Sequence, residues 1–201
     1  MKKENGDKHK TKMKSLKKNI DNSILNANIS KGVGVLLTGN GKGKTSSAFG
    51  MAIRALGYDY EVAIIQFIKG KQLSGEEIFI KENFPKLTFH QMNTGFTWDT
   101  QDKKQDILAA KETWKIAKKA LNQKKYHLVI LDELTYMLSF KYLDETEVIK
   151  TLKGRPKNQS VVVTGRGGGK SLKEWADTVS EVRDIKHAFN SNIMARKGVD
   201  Y

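Results

Sequence analysis

Residues 39–45 have the composition of an anion-binding turn. They read Gly39, Asn40, Gly41, Lys42, Gly43, Lys44 and Thr45, and they lie between an apolar run and a helical run from Ser46 towards Leu56. Glycines let several backbone N–H groups converge on one anion, and the helix start adds unpaired N–H groups and a positive dipole end. Lys44 would then reach a phosphate and Thr45 would be a ligand of Mg²⁺. We predict that this segment, called the glycine loop below, binds a phosphate chain.

The spacing of the glycine loop departs from the usual Walker A pattern. Thr38 stands five positions before Gly43, where that pattern has its first glycine, and the first glycine comes one residue late. A glycine turn that carries a lysine by chance is the alternative interpretation. The order of strand, glycine loop and helix favours phosphate binding.

Two carboxylates follow a later apolar strand. Residues 127–131 form a predicted strand, and Asp132 and Glu133 come directly after it. The carboxyl ends of parallel strands share one edge of a sheet, so this acidic pair should lie near the glycine loop and resembles a Walker B arrangement. Mg²⁺ prefers oxygen ligands and keeps several waters, so one carboxylate suffices to hold it. The alternative is that Asp132 only caps the following helix.

Two further segments have residue types suited to a large or anionic ligand. Phe96 and Trp98 stand with one residue between them in a polar loop of residues 93–100, and two aromatic side chains in such a loop are not expected to share one core face. The alternative is that one of the two aromatic side chains packs in the core and the other has no function. Residues 164–170 form a flexible cationic glycine turn, which could hold a second anionic group or simply turn the chain. No candidate stands out for a general base or for a group that positions water, because lone histidines are more often structural.

Short β-branched runs alternate with helical stretches from residue 31 onward. The predicted strands are residues 33–38, 62–68, 87–91, 127–131, 161–164 and 179–182, and the longest helix covers residues 103–122. Strands that are apolar throughout indicate an α/β fold with a mainly parallel six-stranded sheet and helices on both faces. Residues 31–201 form the predicted domain. Residues 1–30 are a lysine-rich tail with a helical spacing from Met13 onward and no expected structure over the first dozen residues.

The amino-acid composition excludes several functional classes and indicates the charge of the partners. The 201 residues include 36 Lys and Arg against 22 Asp and Glu, for a net charge of +14, so anionic partners are expected. With no cysteine, disulfides, thiolate metal sites and cysteine nucleophiles are excluded. No apolar stretch is long enough for a membrane span, which predicts a cytoplasmic protein. A nucleic-acid-binding ATPase would explain the charge, but the basic residues are not interleaved with aromatic ones in one segment, so nucleic acid is not the expected partner.

Several segments together resemble the CobA-type ATP:corrinoid adenosyltransferases. They read GNGKGKTSSAFGMAIRALG, QFIKG, FHQMNTGFTWDTQD, LVILDELTYML, VVVTGRGGG and IKHAFN…ARKGVDY, and they cover residues 33–201 in that family's order. The resemblance implies a RecA-like P-loop fold, a homodimer, and transfer of the 5′-deoxyadenosyl group of ATP to Co(I) of a corrinoid, with triphosphate released intact. It also implies a flavin-type reductase or flavodoxin as electron donor. A generic P-loop ATPase or nucleoside kinase is the alternative, but it leaves the aromatic loop unexplained.

The resemblance also assigns roles to individual residues. Lys44 is implied as catalytic, and Phe96 and Trp98 as the aromatic residues that displace the lower axial ligand of cobalt. The implied ATP-binding residues are Gly39, Asn40, Gly41, Lys42, Gly43, Lys44, Thr45, Ser46, Arg54 and Arg166. The implied corrinoid-binding residues are Met92, Phe96, Trp98 and Lys186, and the implied Mg²⁺ ligands are Thr45, Asp132 and Glu133. Residues 13–29 match a helix that closes over the site. The chain departs from the family at residues 71–73 and at Asp184.

Overall fold

The computed structural model describes residues 2–68, 73–85, 87–92 and 102–201, with the backbone alone for residues 2–8. Two compact units divide the chain, Met1–Ser30 and Lys31–Tyr201. The first unit contains helix α1 (Lys2–Asn26). Helix α1 begins well before the predicted start at Met13, because lysine and glutamate favour helices and a formed helix extends without a new nucleus.

A sheet of six parallel strands forms the centre of the second unit. Its strands are β1 (Gly34–Thr38), β2 (Glu61–Gln66), β3 (Thr88–Gln91), β4 (Tyr126–Asp132), β5 (Ser160–Thr164) and β6 (Thr178–Glu181). Their order across the sheet is β3-β2-β4-β5-β1-β6, and every pair is parallel. The predicted α/β class and the six predicted strands are confirmed, with bounds that differ by one or two residues.

Helices connect the strands. They are α2 (Lys44–Leu56), α3 (Gly75–Asn83), α4 (Lys103–Leu121), α5 (Leu134–Ser139), α6 (Glu145–Lys153) and α7 (Gly169–Trp175), and a 3₁₀ helix (Ala188–Ser191) lies near the end of the chain. Asp102 caps α4 by accepting the N–H groups of Lys104 and Gln105 at 3.0 and 3.1 Å. None of the helices in the described residues has the length and hydropathy needed to cross a membrane.

Both faces of the sheet are buried along its central strands, whereas the edge strand β6 is exposed. Along β4, Val129 and Leu131 pack in one core cluster with Trp114 of α4, whereas Ile130 packs in the other with Phe49 of α2. This alternation follows from the two-residue period of a strand. The apolar face of α4 that the sequence predicted is buried at Ala110, Trp114, Ala117 and Leu121, with Ile107 at its margin. The sheet is therefore a rigid frame for the loops at its ends.

The chain leaves the neighbouring strands β1 and β5 in opposite directions. Strand β1 is followed by α2 and then β2, on the far side of β4, whereas β5 is followed by α7 and then β6, on the other side of β1. Ligands of parallel sheets bind at such switch points, outside the carboxyl ends of the strands. The loop after β5 starts beside the end of β1, where the Gly165 N–H donates to the Leu37 carbonyl at 3.2 Å.

Candidate active site

The glycine loop follows β1 and leads into the first turn of α2. Gly39 and Gly43 have φ values of 101° and 113°, which favour glycine. A Cβ on Gly39 would also collide with the Val182 carbonyl oxygen. That carbonyl accepts the Gly41 N–H at 2.7 Å. The backbone of the loop is therefore held against the segment that follows β6.

Lys44 is buried at the start of α2, with 7 % of its surface exposed. Its Nζ donates a hydrogen bond of 2.8 Å to the Gly41 carbonyl, across the glycine loop. Burial lowers the pKa of Lys44, while the charges of Glu133 and Asp132 oppose that shift and Arg166 adds to it. A lysine with little water around it and two carboxylates nearby is suited to meet a ligand with several negative charges.

Asp132 ends β4 and accepts three hydrogen bonds from neighbouring side chains. Its Oδ1 accepts from Thr45 Oγ1 at 2.9 Å and from Thr164 Oγ1 at 2.6 Å, and its Oδ2 accepts from Gln66 Nε2 at 2.9 Å. Burial raises the pKa of Asp132, and the three hydrogen bonds oppose that shift. The carboxylate thus joins the ends of β2, β4 and β5 to the start of α2.

Glu133 follows in the left-handed backbone region, at φ 61°, a conformation that costs a non-glycine residue about 1 kcal/mol. Its N–H donates to Thr164 Oγ1 at 2.9 Å. Its Oε2 is buried and has no hydrogen-bond partner among the described residues. Burial, with a smaller contribution from the charge of Asp132, raises the pKa of Glu133 to about 7. A strained residue with an unpaired buried oxygen indicates a missing partner at this position.

The oxygens of the acidic pair and Thr45 fit a hard cation. Thr45 Oγ1 already lies beside Asp132, and the free Oε2 of Glu133 requires a donor or an ion. The described residues contain no group of three or more His, Asp or Glu side chains that could enclose a metal. Mg²⁺ does not need such a cage, because it retains waters and takes further oxygens from phosphates.

A cavity of about 1020 Å³ opens over these groups. Its walls come from the glycine loop, the carboxyl ends of the strands, α3 and the last residues of the chain. Residues that line it include Asn40, Gly41, Lys42, Gly43, Lys44, Thr45, Ser46, Asp132, Glu133 and Arg166. The structure therefore brings together most of the residues that the sequence assigned to nucleotide and magnesium.

The structure also adds lining residues that the sequence analysis missed. Gln66 and Gln91 end β2 and β3, and Gln91 Nε2 donates to both Gln66 Oε1 and Glu77 Oε2 at 2.7 Å. Glu77 in turn accepts from Lys81 at 2.6 Å. This network leads from Asp132 to α3. A signal for Gln66 exists in the sequence, because a polar residue follows the apolar run of β2, whereas the mixed composition of β3 gives no such signal for Gln91.

The C-terminal segment, residues 182–201, forms another wall, through residues other than Lys186, to which the resemblance had assigned a role. His187 and Tyr201 line the cavity, and the Nδ1 of His187 accepts the N–H of Phe189 at 3.2 Å. Lys42 of the glycine loop pairs with Asp200 at 3.0 Å. No local pattern shows where such an irregular segment returns.

Several of the other assigned residues are not among the described residues that line the cavity. Arg54 is exposed in the last turn of α2 and Lys186 is exposed after β6, and neither is among the described residues that line the cavity. Met92 is only 1 % exposed and packs in a core cluster, and its N–H donates to the Gln66 carbonyl at 2.9 Å. Phe96 and Trp98 lie outside the described residues.

The sequence is similar to known proteins over nearly its whole length. The family model described as ATP:corrinoid adenosyltransferase BtuR/CobO/CobP matches residues 30–201. The corrinoid adenosyltransferase of Escherichia coli (strain K12) is 42% identical over 195 residues, which cover 97% of this chain and 98% of the relative. That of Pseudomonas aeruginosa is 43% identical over 198 residues, 98% of each chain. That of Sinorhizobium sp is 36% identical over 196 residues, 96% of this chain and 92% of the relative.

The residues that line the cavity lie within the part of the chain that the family model matches. The family model covers the glycine loop, the acidic pair and the C-terminal segment that together surround it. The chain belongs to the ATP:corrinoid adenosyltransferase family.

Proposed function

We propose that this protein transfers the 5′-deoxyadenosyl group of ATP to Co(I) of a corrinoid and releases triphosphate. The observation that carries the proposal is the buried Lys44 between the glycine loop and the acidic pair, in a chain of this family. Such a lysine can stabilise a leaving triphosphate. The substrates are therefore ATP and a corrinoid, and the context is the synthesis or salvage of an adenosylated corrinoid.

The proposed reaction is a displacement at C5′ of ATP. Cobalt donates an electron pair, a cobalt–carbon bond forms, and the bond between C5′ and the α-phosphate oxygen breaks with its electron pair on triphosphate. Co(I) becomes formally Co(III), and no proton is transferred. Because Co(I) is a strong nucleophile, the protein needs no general base. Holding the two reactants in line can supply roughly 7 to 11 kcal/mol of the barrier.

In this proposal the residues of the site bind and orient the triphosphate. The N–H groups of the first turn of α2 and of the glycine loop, apart from the Gly41 N–H that the Val182 carbonyl accepts, would surround it. Lys44 would leave the Gly41 carbonyl to contact a phosphate oxygen. Lys42 and Arg166 line the same cavity and would add positive charge as the leaving group forms.

Thr45, Asp132 and Glu133 are the proposed holders of Mg²⁺. The free Oε2 of Glu133 and the hydrogen bond between Thr45 and Asp132 support this choice. When bound, the ion would neutralise part of the charge of the triphosphate. Glu133 would be ionised in that state, because a nearby cation favours the charged form.

The corrinoid side of the site remains a proposal from the resemblance. Phe96 and Trp98 would form an apolar wall against the lower face of the corrinoid, and removal of the axial ligand would bring Co(II) within reach of a flavin-type reductase or flavodoxin. Residues 13–29 would serve as a lid over the site. We also propose that the protein is a homodimer and that it is located in the cytoplasm.

Anaerobic incubation with ATP, Mg²⁺ and chemically reduced cob(I)alamin tests the proposal. We expect intact triphosphate by phosphorus NMR and a light-sensitive corrinoid product. ADP and phosphate with an unchanged corrinoid would contradict it and would indicate a hydrolase or kinase.

Substitution of the aromatic loop separates its role from that of the glycine loop. Phe96→Ala or Trp98→Ala should impair the reaction mainly when the substrate starts as Co(II) with its lower ligand attached, because only that path requires ligand displacement. Rates should be compared between this substrate and prereduced Co(I). Equal loss with both would contradict the assignment.

A further inference from the structure

The ion pair between Lys42 and Asp200 joins the glycine loop to the C-terminal segment at the cavity. Lys42 Nζ lies 3.0 Å from Asp200 Oδ1, and both residues line the cavity. Asp200 Oδ2 accepts the N–H of Arg196 at 2.8 Å. That hydrogen bond and the charge of Lys42 lower the pKa of Asp200. The charged carboxylate of Asp200 is therefore paired with the ammonium group of Lys42, which faces the proposed triphosphate site.

A tight turn presents Asp200 to the glycine loop. The N–H groups of Val199 and Asp200 donate to the Arg196 carbonyl at 3.1 and 2.8 Å, and the Gly198 N–H donates to the Tyr201 carbonyl at 2.8 Å. Gly198 has a φ of 82°, which favours glycine. Beyond this turn, the Asp200 carboxylate contacts Lys42. If another anion binds Lys42, the turn loses this contact and can move.

The two lysines of the glycine loop differ in their partners. Lys44 is buried and contacts a neutral carbonyl oxygen. The side chain of Lys42 is 45% exposed and contacts a carboxylate. Of the two, Lys42 is therefore the one for which an anion of the protein itself competes with a ligand.

We propose that Asp200 competes with triphosphate for Lys42 and thereby promotes release of the triphosphate product. This inference rests on the proposed function. Triphosphate carries several negative charges against one on Asp200, so it displaces the carboxylate when it binds. Asp200 then lies near an anion of the same sign, and that repulsion weakens triphosphate binding. Once adenosyl transfer is complete, the carboxylate recaptures Lys42 as triphosphate leaves.

Product release is a step at which such competition matters. In the proposed function, a loop of backbone N–H groups with two lysines would bind the triphosphate product tightly, and release of product limits the turnover of many enzymes. Weak competition by Asp200 lowers the affinity of the site for triphosphate, while Lys42 stays available to contact the phosphates during the reaction.

The variant Asp200→Asn tests the proposal by equilibrium binding. Asparagine keeps an oxygen that can accept the Arg196 N–H but removes the charge. We expect inorganic tripolyphosphate with Mg²⁺ to bind about three- to fivefold more tightly to the variant in calorimetry at low salt, the size of effect of an exposed ion pair. The gain should shrink as salt is raised. Asp200→Glu keeps the charge and should bind as the wild type does.

Two further variants separate competition from other effects. In a Lys42→Gln background, Asp200→Asn should tighten binding less than it does in the wild type, because the lysine for which the anions compete is gone and only the repulsion between Asp200 and triphosphate is left to remove. Glu112→Gln removes the same charge from an exposed pair with Lys115 on α4 and should leave binding unchanged. Hydrogen exchange of the Val199 and Asp200 amides should accelerate in the wild type when tripolyphosphate is added.

Each outcome decides between the two proposals. Unchanged or weaker binding to Asp200→Asn would overturn the competition while leaving the proposed function intact. Equal tightening in Glu112→Gln would show an effect of net charge alone and would also overturn it. If tripolyphosphate does not bind the wild type, the proposed phosphate site fails and the competition fails with it.

Discussion

Asp177 and Asp132 lie at opposite ends of the sheet and differ in every partner. Asp177 precedes β6 at the amino end, where its Oδ2 accepts the Gly34 N–H at 2.8 Å and its Oδ1 pairs with Lys31 at 2.5 Å. These contacts lower the pKa of Asp177. At the carboxyl end, burial raises the pKa values of Asp132 and Glu133, and Glu133 keeps an unpaired oxygen.

The difference separates charges that stabilise the fold from charges that serve a ligand. A carboxylate that gains hydrogen bonds on folding stabilises the folded state. A carboxylate that loses water without full compensation destabilises it until a cation or donor arrives. We therefore expect substitutions at the carboxyl end to change activity most, and substitutions at the amino end to change stability alone.

The largest effect is expected for Lys44→Ala. Removal of the buried ammonium should lower kcat/KM for ATP by more than about 100-fold, the loss typical for a group that stabilises charge in the transition state. Steady-state rates with excess cob(I)alamin measure this. Lys119→Ala, at an exposed position of α4, is the matched control and should keep wild-type rates. Comparable losses in both variants would contradict the role of Lys44.

The second effect is a gain in stability for Glu133→Gln without metal. The folded-state pKa of Glu133 is raised from 4.5 to about 7, so the folded protein holds this proton more tightly than the unfolded chain. Wild-type stability contributed by this group is therefore full below about pH 4.5 and falls as pH rises towards 7. Glutamine does not ionise, so the variant should be more stable at pH 8 by up to about 3 kcal/mol.

Urea unfolding in EDTA at pH 5 and pH 8 measures this difference. Glu147→Gln is the control of opposite sign, because its hydrogen bond and ion pair with Lys118 lower the pKa of Glu147. That variant should be less stable than the wild type at pH 8. A loss of stability in Glu133→Gln at pH 8 would show that Glu133 belongs with the charges that stabilise the fold.

Much of the frame could be predicted from the sequence, because its signals are local. Apolar β-branched runs between helical stretches predicted the six strands, and the glycines with Lys44 and Thr45 predicted the loop at the end of β1. The acidic pair was located for the same reason, since residues that end parallel strands share an edge.

Contacts between distant segments could not be predicted in this way. The hydrogen bonds of Gln66 with Asp132 and Gln91 depend on strand order, which the sequence does not contain. The ion pair of Lys42 with Asp200 depends on the path of an irregular segment. The burial of Met92 in the core was also not predicted, because the short strand before it gives no pattern that distinguishes a core residue from a ligand contact, and its role in corrinoid binding stays a prediction.

The third effect is a moderate loss of stability in Asp177→Asn. The variant keeps an oxygen for the Gly34 N–H but loses the ion pair with Lys31, and we expect a loss of about 1 kcal/mol at pH 7. Because the folded-state pKa is lowered, the wild-type advantage is present above the unfolded value and is lost as pH falls through the folded value. Urea unfolding between pH 7 and pH 3 follows this loss. Tripolyphosphate binding should not change, and a change would link the two ends of the sheet.

The smallest effect is expected for Lys31→Gln. Lys31 pairs with Asp177 across an exposed contact, with 45% of the lysine side chain accessible, so water and ions already screen most of the attraction. The loss of stability should be about 0.5 kcal/mol at low salt and should vanish near 1 M salt. Combined with Asp177→Asn, the variant should add almost nothing, because each substitution removes the same pair. If the losses of stability in the two variants add up, Lys31 and Asp177 do not stabilise the protein as a pair. Asp177 would then contribute to protein stability through the Gly34 N–H alone.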